Sequence, residues 1–187
     1  VDTTLFVSDD VNIEGTIIMT TGTDTLCVGG NWNNTGMFTP GNGTVVFNSL
    51  QGIKTIDNFN DVFFNLHINS ASDIQLARNL TVNNEFILKN GSFDLVSNSR
   101  QFTVIGDFYN YDNFISGNGK LILAGTAANQ IFNPGMSSFY TIDINADPAT
   151  TVTLTDNDLN LTHNLNLNSG TFDLNQLTFN MGDAVGI

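Results

Sequence analysis

Laid over itself so that Gly15 falls on Gly91, the chain repeats. Gly15-Thr16-Ile17-Ile18-Met19 meets Gly91-Ser92-Phe93-Asp94-Leu95, Gly30-Asn31-Trp32 meets Gly106-Asp107-Phe108, and Gly41-Asn42-Gly43 meets Gly117-Asn118-Gly119. A partial third copy follows at a slightly longer displacement, where Leu159-x-Leu161 and Gly170-Thr171-Phe172-Asp173-Leu174 answer Leu80-x-Val82 and Gly91 to Leu95. Self-similarity at a long period, here about 76–79 residues, marks a repeat architecture in which each unit buries its apolar side against its neighbour. The 187 residues read as one domain built of copies at about 3–77, 78–157 and, in part, 158–187.

Inside each copy the apolar residues come as alternating pairs: Leu80/Val82, Phe86/Leu88, Phe93/Leu95, Phe102/Val104, Leu121/Leu123, Ile142/Ile144, Val152/Leu154. Alternation at period two, broken every few residues by Asn, Gly, Asp or Ser, describes very short half-buried strands ending in turns. A membrane barrel needs strands of about 9–11 residues, so these are too short for one. The expected fold is all-β: a parallel β-helix, or β-solenoid, of about nine to ten short coils, with four coils of about 19–20 residues in each repeat. Its core would hold Leu80, Val82, Phe93, Leu95, Phe102 and Ile142, while Thr81, Asp94, Thr103 and Asp143 face water. The 17 Gly and 28 Asn suit the corners. Stacked Asn can also form hydrogen-bonded ladders.

Charge excludes some partners. Five basic residues against 18 acidic give a net charge of −13, which disfavours nucleic acid and anionic membranes. No run of about 18 apolar residues supplies a membrane helix. The lone Cys27 rules out an internal disulfide and is expected to point outward as a free thiol. No signal peptide is visible, and a chain opening at Val1 reads as a mature form or an excerpt.

Asn79-Leu-Thr-Val-Asn83, Phe86-Ile-Leu88, Asn90-Gly-Ser-Phe-Asp-Leu95, Phe102-Thr-Val-Ile-Gly-Asp-Phe108 and Gly117-Asn-Gly119 together resemble the β-solenoid repeats of large secreted surface, adhesin or fibre proteins of Bacteroidota, over nearly the whole chain. The resemblance implies an extracellular or cell-surface location and service as a stalk, shaft or fibre component. The expected role is a structural rod or fibre module. A carbohydrate- or surface-binding adhesin is the alternative, and a polysaccharide-degrading β-helix enzyme stands behind both. Neither Val1–Leu5 nor Met181–Ile187 could form a capping helix, so the expected partner is a continuation of the rod, in the same polypeptide or by end-to-end stacking of a second copy.

No residues converge in sequence as a catalytic set. The basic residues do not recur between copies, and His67 and His163 fall at outward positions, so no enzyme is expected. Asp9-Asp10, Asp57 to Asp61 and Asp156 to Asp158 could offer oxygen ligands at turns. Calcium is therefore the one cofactor left open, although no fixed-spacing loop with a bidentate Glu appears. Outward Thr81, Thr103, Thr153 and Thr178 lack the regularity of an ice-binding array. Trp32 and Phe108, at equivalent positions, are expected inside; Tyr109 and Tyr111 are the candidate sugar contacts. Candidate glycan attachment points are Asn33, Asn42, Asn79, Asn90 and Asn160 in Asn-x-Ser/Thr triplets, and Thr3 and Thr25 in acidic-threonine contexts.

Overall fold

The computed structural model describes residues 3–19, 23–59, 61–95 and 99–182. Among them every regular element is a strand and every ladder is parallel, and the chain winds as a β-solenoid of about eight turns. Each turn has three faces. On the first, Leu5, Leu26, Val45, Leu66, Phe86, Phe108, Phe132 and Leu154 are successive ladder partners, one per coil. The second face carries Val11, Trp32, Ile56 and Leu76 in line, and then Ile74, Phe93 and Phe114. The third carries Leu80, Phe102, Leu121, Ile142 and Leu165. These columns meet on the axis as one continuous core, and the residues expected inside it are all buried. Trp32 and Phe108 are both fully enclosed.

Coils vary in length, from the short step between Thr25 and Thr44 to the long one between Phe108 and Phe132. They are longer on average than expected, which is why the turns number about eight. The repeat is also out of phase with the coil. Leu26 and Val45 stand on the first face, yet their equivalents one repeat on, Phe102 and Leu121, stand on the third. Trp32 and Ile56, on the second face, correspond to Phe108 and Phe132 on the first. The step to the third copy does the same, carrying Phe86 on the first face to Leu165 on the third. One repeat therefore covers three full turns and two of the three faces of a fourth, and each copy is displaced one face round the axis from the last.

Three strands are not short. Phe63–Leu76, Leu80–Asp94 and Leu159–Ser169 stay extended round a corner. Register shifts between Val82 and Glu85 and between Leu88 and Asn90 absorb the bend, as β-bulges do. Elsewhere the corners are held by buried polar side chains, and the copies reproduce one such device. The Asn34 amide donates to Asp61 Oδ2 (2.8 Å), which also accepts from the Phe38 N–H (2.6 Å), while Asn34 Oδ1 accepts from the Gly36 N–H (3.1 Å). In the next copy Asn110 donates to Ser137 Oγ (3.0 Å), Ser137 accepts from the Phe114 N–H (2.9 Å), and Asn110 accepts from the Asp112 N–H (3.1 Å).

Two outward positions differ from expectation. Asp143 is only 7% exposed: Lys120 Nζ lies 2.7 Å from one carboxylate oxygen and the Asn166 amide donates to the other at 2.7 Å, so the side chain lies along its face between neighbouring rungs. Cys27 keeps the outward phase between inward Leu26 and Val28 but is 8% exposed, because a short side chain sits in the trough between Phe6 and Val46 on the flanking rungs. Burial pushes its thiol pKa up.

Candidate functional site

Many polar side chains on the surface bond to the coil above or below. Asn33 donates to Asn12 (2.9 Å), Asn84 to Asn65 (2.7 Å), Asn168 to Asn145 (2.6 Å) and Asn180 to Asn160 (3.2 Å), the Asn ladders expected from the sequence. The acidic turns are engaged in the same way. Asp10 Oδ1 accepts from the Asn31 backbone (2.6 Å) and amide (3.0 Å), Asp156 from the Asn133 amide (2.8 Å), and Asp158 from the Thr178 N–H (2.8 Å). Among the described residues no three His, Cys, Asp or Glu side chains come together as a cation cage. His67 is half-buried with Nε2 2.9 Å from Glu85, and His163 stacks on Tyr140 at 4.5 Å between ring centroids.

The candidate sugar contacts are brought together. The rings of Tyr109 and Tyr111 stack, centroids 6.2 Å apart and planes 6° from parallel, with Tyr111 59% exposed beside a cleft of about 530 Å³ that Met136, Ser138 and Asn157 also line. Tyr109 donates its hydroxyl to Asp107 at 3.2 Å. Burial first, and then the Asp107 charge, hold its pKa up at about 12. The unfolded chain releases this proton near the ordinary 10, so Tyr109 leaves stability unchanged below about pH 10 and lowers it as pH rises from 10 to 12. Absorbance titration should show one of the three tyrosines ionising late, and Tyr109→Phe should remove that part of the alkaline loss of stability.

The candidate glycan attachment points are spread over all three faces. Thr3, Asn42, Asn79 and Asn90 are exposed and Thr25, Asn33 and Asn160 half-buried. Several are already in use as ladder members or caps: Asn79 Oδ1 accepts from the Gln101 N–H (3.0 Å) and the Asn90 amide donates to Ser70 O (3.3 Å).

A second cleft, of about 510 Å³, opens at the edge of the third face and is lined by Arg78, Arg100, Phe59, Thr81, Gln101 and Thr103 among others. Nothing in the sequence singled it out, although its two arginines stand one coil apart in the chain, as Leu80 and Phe102 do. Comparison with protein-family models, with curated proteins and with solved structures finds no match to this chain.

Proposed function

We propose that the chain is a structural rod or fibre module of an extracellular or cell-surface protein, with a mechanical and non-catalytic role. The observation that carries this reading is the direction in which the side chains make their contacts. Apolar residues stack in columns from coil to coil, and Asn, Ser, Thr and Asp bond from one coil to the next. Ser70 Oγ, for example, donates to Ser49 O (3.0 Å) and Ser72 Oγ to Ser49 Oγ (2.8 Å). Such cohesion runs along the axis, the direction in which a shaft carries load. The phase of the repeat suits the same role, since copies displaced one face at a time leave no side of a longer rod distinct.

The terminal described rungs expose apolar side chains, Leu5, Phe6 and Ile18 at one end and Leu167 and Met181 at the other. In this reading further coils cover them, supplied by the same polypeptide or by a second copy stacked end to end. Electron microscopy at rising protein concentration tests this. Rods of constant width should lengthen in steps of roughly 40 Å, about eight rungs at about 4.8 Å. Particles that stay uniformly short would overturn self-stacking, and branched or globular aggregates would overturn the axial rod.

A further inference from the structure

The only two arginines of an otherwise strongly acidic chain line the same cleft. Extending the Leu80–Phe102 register back two residues sets Arg78 and Arg100 on neighbouring rungs, about 4.8 Å apart in the backbone. Arg78 is anchored: its Nε lies 2.6 Å from Asp57 Oδ1, and its guanidinium carbon sits 5.3 Å from the centre of the Phe59 ring. That leaves most of a five-donor fork available. Arg100 is not anchored. Its Nε is shut off from water with no hydrogen-bond partner, and no carboxylate pairs with it among the described residues. A cation held partly out of water with a donor unmet is costly, and an incoming carboxylate would meet that donor. Asp61 also borders the cleft, but its Oδ2 is already turned to the Asn34 amide and the Phe38 N–H.

The rest of the lining indicates what carries the carboxylate. Thr81 and Thr103 stand side by side on adjacent rungs, and Gln101 lies beside them, a set of hydroxyl and amide groups suited to ligand hydroxyls. Phe59, 49% exposed, offers an apolar ring at the edge of the cleft. A pyranose ring with an apolar C–H face, hydroxyls round its rim and a carboxylate on one carbon matches all three. A polyphosphate does not, because it brings no ring to Phe59 and no hydroxyl donor to the Thr81 and Thr103 oxygens or the Gln101 carbonyl. We propose that this cleft binds a uronic-acid oligosaccharide, with a sugar carboxylate seated between Arg78 and Arg100, hydroxyls on Thr81, Gln101 and Thr103, and a ring face on Phe59. The inference does not rest on the rod stacking end to end.

Titration calorimetry of the whole chain tests it with three probes: a mannuronic-acid hexamer, the same hexamer with its carboxyls reduced to alcohols, and poly-glutamate. The acidic hexamer should bind and weaken with added salt, and the reduced one should bind at least about tenfold more weakly. Arg100→Gln and Arg78→Gln should each weaken the acidic hexamer about tenfold or more, Thr103→Val should weaken it several-fold, and Lys89→Gln, on another part of the surface, should change nothing. An unaltered melting temperature identifies variants that still fold, and Arg100→Lys, which keeps the charge but loses the fork, should fall between the parent and Arg100→Gln. Equal binding of the reduced hexamer, indifference to both arginine substitutions in folded protein, or no binding of the acidic hexamer overturns the proposal. Binding of poly-glutamate as tight as that of the hexamer overturns the sugar assignment.

Discussion

Gly106→Ala should cost at least about 3 kcal/mol, seen in urea unfolding followed by circular dichroism, and lower the melting temperature by roughly 10 °C. Gly106 lies in the turn between the third-face strand Gln101–Val104 and the first-face strand Asp107–Asn110. A Cβ placed there would lie 1.6 Å from the carbonyl oxygen of Asn84, 2.4 Å from its carbon and 2.7 Å from its Cα. All three are backbone atoms of the coil beneath, so no side chain can swing aside. Relief requires the two coils to part beside the Glu85–Asp107 pairing. The control is Gly15→Ala. Gly15 is the repeat equivalent of Gly91, but Gly91 has φ of +95° and a Ser70 carbonyl 2.1 Å from the Cβ position, whereas nothing lies within 4 Å at Gly15. Gly15→Ala should be neutral or gain about 0.4–1 kcal/mol through the unfolded state. Equal effects at the two sites would mean that backbone contact between coils does not set the rung spacing.

The alternating pairs made the fold class readable because burial on a solenoid face is a local property. A strand with Phe102 and Val104 inward shows that pattern whichever face it occupies, and every pair named from the sequence is buried. That same locality hid the phase. Apolar alternation looks alike on all three faces, so displacing the chain by one repeat aligns Leu26 with Phe102 without revealing that they stand on different faces. The coil length then had nothing to fix it. The buried outward residues were hidden for a related reason, since alternation gives the direction of Cys27 and Asp143 but not the height of their flanking neighbours.

The arginine cleft was hidden more deeply. Arg78 and Arg100 do not recur between copies, and recurrence singles out what the solenoid needs for its own stacking. A site that serves a single ligand need not recur with the repeat. Once the coil length is known, any two chemically distinctive residues one coil apart in the chain become neighbours. Arg78–Asp57, Asn31–Asp10 and Asn84–Asn65 all obey that spacing.

Phe108→Ala should be the most damaging truncation in the core, at about 3–5 kcal/mol, because the ring lies at a junction of the axial stack. Its centroid is 5.2 Å from Phe86, 5.5 Å from Phe114, 5.4 Å from Phe132 and 6.1 Å from Phe139, so the cavity would open toward the coils on both sides at once. A solenoid coil couples only to its neighbours, and weakening a middle coil weakens the bond between the two halves of the rod. Its unfolding transition should then be broader than the parent's or split, with hydrogen exchange accelerating first between Glu85 and Phe132. Phe172→Ala makes the comparison. Phe172 pairs with Val152 on one side, is only half-buried, and sits on the last first-face rung among the described residues, so its loss should cost roughly half as much and fray that end alone. If the two substitutions cost the same and leave one sharp transition each, cohesion is global rather than passed coil to coil, and a longer shaft of such units would fail all at once under load instead of locally.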